Sequence, residues 1–235
     1  VSAIRVTNGG ITVKYGNDGK QRWLNLYNGP ANESDEAAAI AIDGSGNVYV
    51  TGYSEGSNGK KDACSIMYDA AGKQIWVKRY NGPADGDDEA RAIALDGAGD
   101  VYVTGRSERP KTGRDFVTIK YNAAGRQKWV RHFSGSGTEN DYASSLALDA
   151  SGAVYVTGTL MTALAERDCA TLKYDASGKL QWLKRYNGPD SRSDRGIAVA
   201  VDPAGRVCVA ATSAGLANDF AVLQYTSAGA EQWAS

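Results

Sequence analysis

Tryptophan occurs five times, at Trp23, Trp76, Trp129, Trp182 and Trp233, with successive separations of 53, 53, 53 and 51 residues. A tyrosine keeps the same beat eight residues upstream, at Tyr15, Tyr68, Tyr121, Tyr174 and Tyr225, and a glycine follows each of these at Gly19, Gly72, Gly125, Gly178 and Gly229. A locked period of this length marks a solenoid or a propeller, because each unit is one supersecondary block that cannot bury its apolar face alone. The repeat runs to the end of the sequence, so residues 1–235 read as a single domain.

Within a unit the pattern is that of short strands broken by turn residues. The first full unit offers four, at residues 38–42, 48–51, 64–68 and 75–80, and the same four recur in each later unit. Complete repeats cover about 37–80, 90–133, 143–186 and 195–235, and a partial one, residues 1–27, opens the chain with three strands. No segment carries a 3.6-residue apolar period long enough for a stable helix. The expectation is an all-β β-propeller of four-stranded antiparallel blades, five in number. The first strand of each unit (Ala-Ile-Ala-Ile, Ala-Ile-Ala-Leu, Leu-Ala-Leu, Ala-Val-Ala-Val) is apolar on both faces and is expected to be innermost and buried, and the tryptophan strand outermost.

The segments Ala-Ile-Ala-Ile-Asp-Gly-Ser-Gly-Asn-Val-Tyr-Val-Thr-Gly (Ala39 to Gly52) and Asp-Phe-Val-Thr-Ile-Lys-Tyr-Asn-Ala-Ala-Gly (Asp115 to Gly125) resemble the bacterial SBBP family of β-propeller repeats. The resemblance recurs in register across essentially the whole chain. It implies a secreted, periplasmic or cell-surface bacterial protein, and it implies seven blades where the present units number four and a part. A fragment of a larger ring, or closure through another chain, would make up that difference, and a monomer is the simpler expectation.

Composition narrows the partners. A formal net charge of −1 gives no overall attraction to nucleic acid, and no apolar run approaches the length of a membrane span. Cys64, Cys169 and Cys208 lack metal-ligand spacing and read as plain buried thiols. No cofactor and no metal is expected. The one histidine, His132, falls on a tryptophan strand, so neither a Ser-His-Asp nor a Cys-His set can be assembled. Near-identical repeats also supply one residue type many times, whereas catalysis needs unlike groups in unlike environments. No catalytic residue is therefore assigned, and an enzyme is not expected.

Loops after the second and fourth strands are expected to be long, varied and functional. Asp35, Asp88, Asp141 and Asp194 precede the first strands at the repeat period and invite two readings: turn-pinning carboxylates, or a ring binding a cation or a polyhydroxylated ligand. Tyr53 and Tyr142 lie nearby and suit sugars or peptide segments. A second series, Asp62, Asp115, Asp168 and Asp219, follows Lys61, Arg114 and Arg167 in three units and suggests local ion pairs. Asp43, Asp96, Asp149 and Asp202 open Asp-x-x-Gly turns on the opposite side. The acidic stretch Asn81 to Glu89 has the composition of a calcium loop without its spacing. The function expected is a non-catalytic module that binds a carbohydrate or a protein or peptide ligand through the long-loop side. The alternative is a protein-docking scaffold without a small ligand, and a glycosidase-like enzyme comes third.

Overall fold

The computed structural model describes residues 2–6, 9–135, 139–162, 166–188, 193–214 and 218–235. These form strands only. In the first sheet lie β1 (Ser2–Val6), β2 (Gly9–Tyr15) and β3 (Gln21–Tyr27). The second contains β4 (Asp35–Ile42), β5 (Val48–Glu55), β6 (Lys61–Tyr68) and β7 (Gln74–Tyr80). The third contains β8 (Asp88–Leu95), β9 (Val101–Arg109), β10 (Gly113–Tyr121) and β11 (Gln127–Phe133). The fourth contains β12 (Tyr142–Leu148), β13 (Val154–Met161), β14 (Arg167–Tyr174) and β15 (Leu180–Tyr186). The last contains β16 (Asp194–Val201), β17 (Val207–Ala214), β18 (Asn218–Tyr225) and β19 (Glu231–Ala234). Strands follow one another in sequence order within every sheet, so each sheet is an antiparallel meander of propeller-blade type.

The chain divides into two compact units. One holds residues 1–103, 107–109 and 120–128; the other holds 104–106, 110–119 and 129–235. In the first unit β8 lies across β4, β5 and β6, and in the second β16 lies across β12, β13 and β14. The opening strand of one sheet thus covers the face of the sheet before it.

Short Asp-x-x-Gly turns join first strands to second. Asp43 Oδ1 accepts the N–H groups of Ser45 and Asn47 at 2.9 Å, and Asp96, Asp149 and Asp202 accept the corresponding pairs. The glycine closing each turn has φ near +80°, from 78° at Gly152 to 81° at Gly46, where a side chain would be strained. The hydroxyls of Tyr49, Tyr102 and Tyr155 donate to the other carboxylate oxygen of Asp43, Asp96 and Asp149 at 3.0–3.2 Å, tying each turn to its buried second strand.

Tryptophan links successive sheets. The indole N–H groups of Trp23, Trp76, Trp129 and Trp182 donate to the carbonyls of Ala70, Ala123, Ala176 and Ser227 at 3.1–3.2 Å. Each ring also lies beside the repeat tyrosine of the next sheet, with centroids 5.8–6.5 Å apart (Trp23 and Tyr68, Trp76 and Tyr121, Trp129 and Tyr174, Trp182 and Tyr225). The glycine of that turn is obligatory twice over. Gly72, Gly125, Gly178 and Gly229 all have positive φ, and a Cβ on any of them would come within 3.1 Å of the indole.

Three expectations need correction. The first strands are not the buried ones: β4 is half-buried and Ile42 is 50% exposed, whereas Val48 to Ser54 of β5 are all buried. A first strand is a sheet edge with one hydrogen-bonded neighbour, and its alanines fill little space. The loops after second strands are not long, because β5 and β6 continue pairing to Glu55 and Lys61 and leave only Gly56 to Lys60 between them. Cys208 is half-buried rather than buried, while Cys64 and Cys169 are buried and all three are free. Burial pushes the Cys64 and Cys169 thiols up to about 12.

One further register feature bears on packing. Residues facing each other across the first and second strands are Ala37 and Gly52, Ala143 and Gly158, then Gly196 and Ala211. Each pair carries one methyl group, and in the last sheet it has changed strand. A Cβ on Gly52 would lie 1.8 Å from the carbonyl oxygen of Glu36, and one on Gly158 would lie 2.1 Å from that of Tyr142.

Candidate ligand-binding site

Asp35, Asp88, Asp141 and Asp194 occupy equivalent places at the starts of or just before first strands, and all are buried, at 2%, 0%, 2% and 0% exposure. Each accepts a backbone N–H six residues upstream, from Gly29, Gly82, Gly135 and Gly188, at 2.7–2.8 Å. The glycines are needed for this close approach. At Gly29, Gly82 and Gly188 a Cβ would lie 2.2–2.4 Å from the hydroxyl of Ser54, Ser107 or Ser213 and 2.6–3.0 Å from the carboxylate. Where Leu160 stands at the place of those serines, Asp141 accepts the Met161 N–H with its second oxygen instead, at 2.8 Å.

Burial pushes Asp88 up to about 6, partly offset by the Ser107 hydroxyl and the Gly82 N–H. Because the folded value exceeds the ordinary 3.8, protonation favours the folded state. The benefit is complete below the ordinary value and is lost as pH rises through about 6. Asp88→Asn keeps an oxygen for Gly82 and carries no charge, so the wild type should lose thermal stability relative to the variant between about pH 4 and 6. Parallel melting curves across that range would refute the assignment.

Several other acids near these loops are paired with protein donors. Asp62 accepts two bonds from Arg79 of β7, at 2.9 and 3.0 Å, and not from its neighbour Lys61, which instead meets Glu89 at 3.2 Å. In the stretch from Asn81 to Glu89, Asp85 accepts from Asn81 and Asn58, and Glu89 is buried between Lys61 and Arg91. Among the described residues no group of three or more His, Cys, Asp or Glu side chains is placed to hold a metal ion.

The two tyrosines part company. Tyr53 is buried at 6% exposure beneath the Lys61 ammonium, 4.1 Å from its ring centroid. Tyr142 is half-buried and lines an open cleft of about 410 Å³ in the second unit. The cleft is completed by Ser144, Thr159 and Arg167 on the β12–β14 side and by Arg195, Gly196 and Ile197 of β16. Its volume lies within the usual range for small-molecule sites. The Arg106 guanidinium stands 5.3 Å from the Tyr142 ring centroid, a cation–π distance. Among the described residues, neither Arg167 nor Arg195 has a carboxylate partner, and no carboxylate, histidine or cysteine lines the cleft.

Two arginines of this site escaped the reading of the sequence. Arg167 was expected in a local ion pair with Asp168, and Arg195 drew no attention. A signal was present, because the residue after the repeat aspartate changes from Glu36 and Glu89 to Tyr142 and then Arg195 within an otherwise constant motif. In the third full unit Leu160, at the end of the second strand, is fully buried, and residues 163–165 lie outside the described residues.

Residues 28–60, the loop before β4 through the turn after β5, match the family model of the SBBP β-propeller repeat. The chain carries an SBBP β-propeller repeat. No curated protein matches the chain. Among solved structures, the quinohemoprotein alcohol dehydrogenase from Comamonas testosteroni superposes with a TM-score of 0.58 at 14% identity, over 100% of this chain and 42% of that one. The SBBP-bearing chain thus spans less than half of that enzyme, and the likeness shows the propeller fold. A PL25 ulvan lyase bound to its saccharide superposes at 0.48 with 11% identity over 97% of this chain and 68% of that one. The extracellular domains 1–2 of Drosophila Semaphorin 1b do so at 0.44 with 13% identity, over 81% and 38%.

Proposed function

We propose that the chain is a non-catalytic binding module and that its ligand is an acidic saccharide held in the cleft of Tyr142, Arg167 and Arg195. The observation that carries this reading is the pair of guanidinium groups, without carboxylate partners among the described residues, in the wall of an open cleft. Guanidinium forks match carboxylate and sulfate groups bidentately. The Ser144 and Thr159 hydroxyls and the Tyr142 ring add the hydrogen-bonding and aromatic surfaces that a sugar uses. A glycosidase needs two carboxylates flanking the scissile bond, and the described lining supplies neither. A secreted or cell-surface location suits such a ligand.

The test is a thermal-shift and calorimetric comparison of oligogalacturonate with neutral galactose oligomers of equal length. At about 100 times the dissociation constant, a ligand specific for the folded state adds about 2.7 kcal/mol, which a melt resolves. The acidic series alone should shift the transition, and Arg195→Ala or Arg167→Ala should each weaken binding at least tenfold while melting like the wild type without ligand. Equal shifts by neutral sugars would remove the arginines from the account; silence from both series, with binding of an acidic peptide, would move the cleft to the protein-docking reading.

A further inference from the structure

Each compact unit contains one copy of the same crossing, β8 over β4, β5 and β6 in the first and β16 over β12, β13 and β14 in the second. The strand registers agree. Glu36 faces Tyr53 and Glu55 faces Lys61, just as Tyr142 faces Thr159 and Met161 faces Arg167. Lys61 and Arg167 therefore hold one position of the repeat, and Glu89 and Arg195, each directly after the repeat aspartate, hold another.

In the first unit these two positions satisfy each other. The Lys61 ammonium meets Glu89 Oε1 at 3.2 Å, Arg91 donates to Oε2 at 2.6 Å, and the Glu89 side chain is 1% exposed. Tyr53 fills the room beside them, buried, with the Lys61 ammonium 4.1 Å from its ring centroid. In the second unit Arg195 stands where Glu89 does, Ile197 where Arg91 does, and Thr159 where Tyr53 does. One member of the ion pair has changed sign and a ring has given way to a small hydroxyl side chain, and this is where the cleft lies.

We infer that Arg167 and Arg195 converge on a single oxyanion group of the ligand, which takes the place held by the Glu89 carboxylate in the first unit, with the ring that bears it where the Tyr53 ring lies there. Resting on the acidic-saccharide reading of the cleft, this narrows the ligand to a ring carrying one acid group at the point of contact. Side chains at the two positions reach each other, as the contact of Lys61 with Glu89 shows, and arginine is no shorter than lysine and longer than glutamate. Two guanidinium groups so placed repel, and one carboxylate or sulfate between them satisfies both forks.

Two measurements test the shared place. Without any ligand, Arg195→Glu should pair with Arg167 and melt about 1–3 °C above Arg195→Gln at low ionic strength, a gain that salt screens. The gain should vanish when Arg167→Gln is added to both; no gain, or one that survives that change, overturns the inference. The second measurement titrates galacturonate, which has one carboxylate, and inorganic sulfate, each against chloride at equal ionic strength. Arg167→Gln and Arg195→Gln should each weaken whichever anion binds by about tenfold, because both forks hold the same group. Binding that depends on only one of the two arginines overturns the inference while leaving the saccharide reading in place, and a wild type that binds neither anion overturns it as well. Sulfate bound through both arginines, with galacturonate and its oligomers ignored, upholds the convergence and removes the saccharide.

Discussion

Trp129→Ala should lower the free energy of unfolding by about 3–5 kcal/mol, the range for deleting a buried aromatic. The ring is 9% exposed, donates to the Ala176 carbonyl at 3.2 Å, packs on Tyr174, and covers Gly178 so closely that a Cβ there would come within 2.8 Å. The substitution removes the area, the hydrogen bond and the lid of a turn together. Trp233→Ala provides the internal control. At 44% exposure, its loss should change the stability of the 235-residue chain by no more than about 0.5 kcal/mol. Urea midpoints for the two variants, at unchanged slope, separate the cases. Similar losses for both would mean that the period of the tryptophans reflects something other than packing.

The second large effect concerns the shared methyl. Gly158→Ala should cost about 1–3 kcal/mol, because the new Cβ would lie 2.1 Å from the Tyr142 carbonyl oxygen and 2.7 Å from the Phe116 ring. The last sheet shows how the fold admits an alanine there: Ala211 is 1% exposed opposite Gly196. Ala143→Gly added to Gly158→Ala reproduces that arrangement, and the double variant should be more stable than Gly158→Ala alone. A double variant whose losses simply add would show that the two positions do not share space.

Much of the architecture was legible because it was written several times. The strand count, the order of strands within a sheet and the Asp-x-x-Gly turns all follow from residues that recur at one period, where chance agreement averages away. What escaped depends on single copies or on the third dimension. Strands β5 and β6 run past the apolar stretch through Ser54 and Asp62, because pairing continues wherever both partners can stay extended. Asp62 finds Arg79 across a strand pair, and no sequence neighbour announces it. The arginines of the cleft lie 28 residues apart, on β14 and β16, and are brought together only when one sheet's opening strand crosses the sheet before it. The buried aspartates show the converse limit: their period was evident, but only the structure shows that each accepts the backbone N–H of a glycine six residues upstream.

All four indole contacts point the same way along the chain, from an earlier repeat to the turn of a later one. On the ribosome this polarity orders events. The segment already outside always ends in an uncovered tryptophan, and the next Tyr-x-x-x-Gly hairpin to emerge, about 45 residues later, meets a lid that is already in place. Growth from the amino terminus then adds one hairpin at a time to a finished template, and no emerging turn has to wait for residues not yet translated.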